Sequence, residues 1–133
     1  MYDEAFRDLR NLFRGGVSAT GWAGTVRKED VARWAEVSGI SLTQAFDHIG
    51  IELARDYAVG ILTWEFCDAA ANALFGVLTE LHLDNAVDVD EPKQFWKFYL
   101  AFDYSETVPS AEAEKVARDQ LAQFLASVPT GIS

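Results

Sequence analysis

Glu65, Asp68, Asn72, Gly76 and Thr79 recur at intervals of three, four, four and three residues. At helical pitch this spacing aligns them on one side of a helix. The segment around them, 64–83, is apolar over most of its circumference, through Trp64, Cys67, Ala70, Ala71, Leu74, Phe75, Val77, Leu78 and Leu81. A polar stripe on such a helix has three physical outcomes. If it is buried, Asp68 and Asn72 must find hydrogen-bond partners and will rigidify the core. If it lines a cleft, Glu65, Asp68 and Asn72 form a ligand site or an acid–base pair, because burial beside aromatic rings raises a carboxyl pKa. If it faces water, it is an outer surface. Asp68 is the residue that separates these outcomes.

A second set, His48, Glu52 and Asp56, stands at i, i+4 and i+8. One helical face thus carries an imidazole and two carboxylates, a chemistry that suits several divalent ions. The other half of such a site would have to come from His82, Asp84 or Glu65. The chain has no His-x-x-x-His pair and no Glu-x-x-His pair of the di-iron type. The reading is therefore a solvated helix side, with no metal and no cofactor assigned, and His48 kept as a possible companion of the 65–79 stripe. Cys67 falls on the apolar helix, where a thiol is inert packing. There is no Gly-x-Ser-x-Gly elbow and no phosphate loop. No catalytic residue is assigned, and an enzyme is the less favoured reading.

Charge is the third feature. The net charge is −10. Residues 1–60 hold nine acids against seven bases, and residues 61–133 hold twelve against four. The densest patch is Glu80, Asp84, Asp88, Asp90 and Glu91, with no lysine or arginine among them. It shares composition with calcium loops but lacks the fixed twelve-residue spacing and central glycine of the EF-hand. Such a body is repelled by phosphate backbones and anionic lipid heads. It attracts a basic protein, with fast and salt-sensitive association. Trp22, in the glycine-rich stretch 15–25, either folds back over the core or joins the acidic patch as a contact residue.

The run Asp30-Val-Ala-Arg-Trp-Ala-Glu-Val-Ser-Gly-Ile-Ser-Leu-Thr-Gln resembles the helix-turn-helix of bacterial repressors, through Val31, Ala32, Ala35, Val37 and Ser38. The resemblance implies a DNA-binding regulator built on residues 30–56. Two departures stand in this sequence: Glu36 occupies the turn position that glycine usually holds, and Gly39-Ile40 lengthens the turn. The helix that would read bases, 41–56, holds one arginine, Arg55, at its far end, against Asp47, Glu52 and Asp56. Recognition helices need donors near their N-terminus, and only Thr43 and Gln44 supply them. Nucleic acid is an unfavoured partner.

The elements that must position these residues are all helical. The apolar spacing predicts helices over 3–14, 28–38, 42–59, 64–83, 92–103 and 110–127. Gly15-Gly16, Gly39 and Gly60 punctuate them, Ser41-x-x-Gln44 forms a capping box, and Thr63 caps the helix at 64. Residues 57–62 read as a helix end and a tight loop. The expectation is all-α: one domain over 1–133, a compact bundle of about six helices around the central apolar helix 64–83. A single cysteine allows no internal disulfide. No secretory signal and no stretch of about 18 apolar residues is visible, so the expected location is the cytoplasm, with no membrane partner. Seventeen aromatic residues make a homodimer through Trp96 and its neighbours a further expectation. Together these features describe a protein-interaction module that binds a basic partner, comparable in physical type to small inhibitor and immunity proteins. The alternatives are the DNA-binding regulator and a small-molecule binder or enzyme using the 65–79 stripe.

Overall fold

The computed structural model describes residues 2–13, 26–84 and 91–128. Trp22, Asp88 and Asp90 lie outside the described residues, as do the glycine-rich stretch at 15–25 and the end of the chain after Val128. Among the described residues there are six helices and no strand: α1 (Tyr2–Phe13), α2 (Lys28–Ser38), α3 (Leu42–Ala58), α4 (Trp64–Leu83), α5 (Lys93–Ser105) and α6 (Ser110–Ser127). The protein is an all-α bundle. No described helix is long and apolar enough to cross a membrane.

Local chemistry sets most boundaries. Gly39, at φ 66°, takes the left-handed turn that ends α2. Ser41 then accepts from the Gln44 amide, and the Gln44 side chain accepts from the Ser41 amide, completing the capping box of α3. Gly60, at φ 84°, turns the chain after α3, and Thr63 Oγ1 accepts from the Phe66 amide to start α4. One start differs from expectation: α5 begins at Lys93, with Pro92 as its N-cap, while α6 begins at Ser110 as expected, behind Pro109. Neither proline has a side-chain acceptor for the free amides of the first turn.

For α5 the missing cap comes from another helix. Asp47 Oδ1, on α3, accepts from the amides of Gln94 and Phe95 at 2.9 and 3.0 Å. Burial pushes the Asp47 carboxyl pKa up, and the two amide donors pull it part of the way back. One turn further along α3, Gly50 lets the two backbones close. A Cβ built there would meet the Phe95 Cα at 3.0 Å. Phe46 packs on Phe95 at 5.4 Å between ring centroids. Phe95, Phe98 and Phe102 of α5 are fully buried, along with Trp34, Phe46 and Tyr57.

The expected hub, α4, is well packed through Phe66, Cys67, Ala70, Ala71, Leu74, Val77, Leu78 and Leu81. It shares the centre of the bundle with α3, which packs against all five other helices and exposes only Gln44, Arg55 and Ala58. The reason is that α3's polar residues serve its neighbours instead of water. Asp47 caps α5, and Asp56 accepts from the Tyr2 hydroxyl of α1 at 2.8 Å. His48 meets the Tyr2 ring edge-on at 6.5 Å. The His48–Glu52–Asp56 face therefore lies half-buried under α1, where a solvated side is expected from the sequence. α1 is tied to α2 as well, because Asp8 Oδ2 accepts from both Trp34 Nε1 and Arg33 Nη2, at 2.8 and 2.6 Å.

Asp47→Ala leaves two amides of α5 without a partner, and is expected to cost about 1–2 kcal/mol of stability. Gly50→Ala forces α5 back from α3. Strain of about 1–3 kcal/mol outweighs the roughly 1 kcal/mol that alanine gains in a helix, for a net loss near 1 kcal/mol. Urea titrations of both variants check this; a Gly50→Ala protein as stable as the parent would show that α5 yields freely.

Candidate functional site

α4 and α5 run antiparallel. The Leu83 end of α4 lies beside Pro92, and Asp68, near the start of α4, lies beside Glu106, just past the end of α5. Midway, Phe75 and Tyr99 stack at 4.3 Å with planes 12° apart. Trp96 continues the stack on Tyr99 at 5.5 Å. This ladder of rings divides the α4–α5 seam into two chemically different halves.

The half toward the C-terminal end of α4 is an apolar groove. Its volume is about 530 Å³, and Phe75, Leu78, Leu83, Pro92 and Trp96 line it, with Thr79, His82 and Glu91 at the edges. Leu83, at the last position of α4, is 77% exposed.

The other half is acidic. Asp68 is half-buried, and its Oδ1 is shielded from water without a hydrogen-bond partner. Loss of hydration raises its pKa to about 7, with the Glu106 carboxylate adding most to that, then Asp103 and Glu65. The Tyr99 hydroxyl also keeps its proton above the usual range, through burial and the negative field of Asp103 and Glu106. Asp103 and Glu106 are exposed. Beside this cluster a cleft of about 570 Å³ opens toward α6, walled by Trp64, Glu65, Ser105, Glu106 and Glu114. Trp64 is held in place by donating from Nε1 to Ser105 Oγ at 3.0 Å. Ser105 in turn donates to the Phe102 carbonyl at 2.8 Å.

The ion pairs lie elsewhere. Arg33 pairs with Glu4, Asp8 and Asp30, Arg55 with Glu52, and Lys28 with Glu80 and Asp84. No ion pair among the described residues includes Glu65, Asp68, Asp103, Glu106 or Glu114. Among the described residues no group of three or more histidine, cysteine, aspartate or glutamate side chains is arranged to hold a metal ion.

The residues singled out by the sequence are thus distributed over several places. Of the 65–79 stripe, Glu65, Asn72, Gly76 and Thr79 are exposed and Asp68 is the half-buried member. His48 is not brought to that stripe but sits under Tyr2. Lys28, from α2, holds Asp84 at 2.6 Å and Glu80 at 3.7 Å, so part of the 80–91 patch is neutralised within the fold. Glu91 is exposed at the edge of the groove. Asp103 and Glu106 are additions from the structure. Their only mark in the sequence is spacing: Tyr99, Asp103 and Glu106 follow at four and three residues, one stripe of α5. The α2–α3 hairpin forms around Gly39, but the helix that would read a DNA groove is the enclosed hub of the bundle. Burial also pushes the Cys67 thiol pKa up, with Asp56 and Asp68 adding to it, so the thiolate is disfavoured.

Fold and site together define a class: an all-helical bundle with an amphipathic seam between two antiparallel helices, acidic at one end. Comparison with known protein families, curated proteins and solved structures gives no match.

Asp68→Asn keeps the shape of the carboxyl and removes its charge. The unfolded carboxyl ionises near pH 4 and the folded one near 7. Ionisation therefore weighs on the folded state increasingly between those values and fully above them. The variant is expected to melt higher than the parent, by a margin that grows from about pH 4 to about pH 7 and then levels off. Thermal melts across that range check it; a margin independent of pH, or a variant less stable at about pH 8, would contradict the assignment.

Proposed function

We propose that the protein is an interaction module that binds and masks a basic partner protein through the acidic end of the α4–α5 seam, as small inhibitor and immunity proteins do, and that it works in the cytoplasm. The observation that carries this reading is the segregation of charge. Every ion pair among the described residues joins Lys28, Arg33 or Arg55 to acids of α1, α2, α3 or the end of α4, while Glu65, Asp103 and Glu106 lie around Asp68 with no ion pair among the described residues. Like charges gathered around a half-buried carboxyl oppose folding. A lysine or arginine from a partner relieves that opposition on binding, so the same field that weakens the free protein strengthens the complex. The 80–91 patch is the weaker candidate, since Lys28 already holds Glu80 and Asp84.

A second reading rests on Asp68 itself. A carboxyl that titrates near neutrality beside a cleft has the proton affinity a general acid or base needs, which favours a small-molecule binder or enzyme. It ranks second because the groups around Asp68 are other carboxylates and a phenol, with no cation placed to hold an anionic substrate or transition state. Binding of small organic amines that is lost on Asp68→Asn, in the absence of any protein partner, would favour it.

Capture from the native host's lysate at low salt is expected to retain a basic protein, with release as salt rises. Asp103→Lys with Glu106→Lys, both at exposed positions, should abolish retention. Asp88→Lys with Asp90→Lys should reduce it less. Retention of the same protein by the 103/106 variant would remove this surface as the binding site.

A further inference from the structure

The two halves of the α4–α5 seam lie in line along one surface. On α4, Asp68, Phe75 and Thr79 lie along one side of the helix, and from Asp68 to Thr79 is about 16 Å at about 1.5 Å per residue. On α5, Trp96, Tyr99 and Asp103 follow the same line in the opposite direction. The seam therefore offers an apolar groove, a flat stack of rings, and a cluster of carboxylates, in that order, over about three helical turns. A groove of about 530 Å³ accommodates a few aliphatic side chains. The carboxylates at the other end, all without ion pairs, accept a cation.

Resting on the reading above, we propose that the partner docks as an amphipathic helix laid along this seam. Its aliphatic side chains enter the groove at Leu78, Leu83 and Trp96. A lysine or arginine about three turns away along the partner helix reaches Asp103 and Glu106. Helix-in-groove recognition uses anchors on one face at helical spacing, and the seam supplies both the apolar and the charged anchor points at that spacing. Charge complementarity sets the polarity of the bound helix: its basic end lies at the Asp103 end. The cation also settles the occupant. A second copy presenting this seam would offer carboxylates and no cation, whereas a basic helix offers an apolar face and a cation together.

The test uses the full chain and three synthetic helical peptides of equal length. The first has leucine on one face and lysine opposite, with an arginine three turns from the leading leucines. In the second, serine replaces leucine at unchanged charge. In the third, glutamate replaces every lysine and arginine. Binding is measured by calorimetry at low and physiological salt. The expected result is one-to-one binding of the first peptide, weakened about tenfold or more by Leu83→Asp and again by Asp103→Lys with Glu106→Lys, with little binding of the other two. Leu83, Asp103 and Glu106 are exposed, so these variants should keep the fold, which circular dichroism verifies. Equal binding of the serine peptide, lost in the 103/106 variant, overturns docking in the groove and leaves the basic-partner reading standing. Equal binding of the glutamate peptide overturns the charged anchor and that reading with it. Failure of all three to bind overturns helix docking, while the lysate capture reports separately on the basic partner. Self-association abolished by Leu83→Asp, with the first peptide excluded, assigns the groove to a second copy instead and overturns the proposal.

Discussion

The close approach of α3 and α5 is the constraint on which the rest of this bundle depends. Gly50 removes the side chain that would hold the helices apart, and Asp47, one turn earlier, supplies the acceptor that Pro92 cannot. The two effects are coupled. The cap works only at hydrogen-bond distance, and that distance is reached only where no Cβ intervenes. Once α5 is fixed, Phe95, Phe98 and Phe102 fill the space between α3, α4 and α6. The remaining face of α5, with Trp96, Tyr99 and Asp103, is left beside α4. The seam that carries the candidate site is thus a by-product of a backbone contact on the opposite side of α5.

Polar residues of α3 explain how it shares the centre of the bundle with α4, the helix with the richest apolar composition. A carboxylate on a helix reads as a mark of solvent exposure, because an unpaired buried charge is costly. Asp47 and Asp56 escape that cost by bonding to amides and to a phenol on neighbouring helices. With these residues turned inward, α3 can be surrounded by all the others, whereas α4 keeps one side in water through Glu65, Asn72, Gly76 and Thr79. The number of apolar residues measures how much surface must be covered. It does not say which helix is covered from every direction.

The electrostatics follow the same division. Cations and anions are matched where α1, α2 and α3 meet, notably at Arg33, which touches acids from two helices. Among the described residues they are unmatched where the start of α4 meets the end of α5. Carboxylates gathered around Asp68 with no ion pair among the described residues weigh against the folded state of the chain.

Helix number, helix limits and turn chemistry were legible in the chain itself, since capping by Ser41 and Thr63, left-handed turns at Gly39 and Gly60, and apolar spacing act over a few residues and are written locally. The polar stripe on α4 and the unusual status of Asp68 were legible for the same reason. What only the tertiary structure decided is which distant residues meet: Asp47 with the start of α5, Lys28 with Glu80 and Asp84, and Asp68 with Asp103 and Glu106. Each joins residues at least 35 positions apart, through helices whose relative placement is set by packing of the whole core. Local periodicity reports which face of a helix is apolar, but the neighbour that covers that face is fixed by shape and backbone distance, and those exist only once the chain has folded.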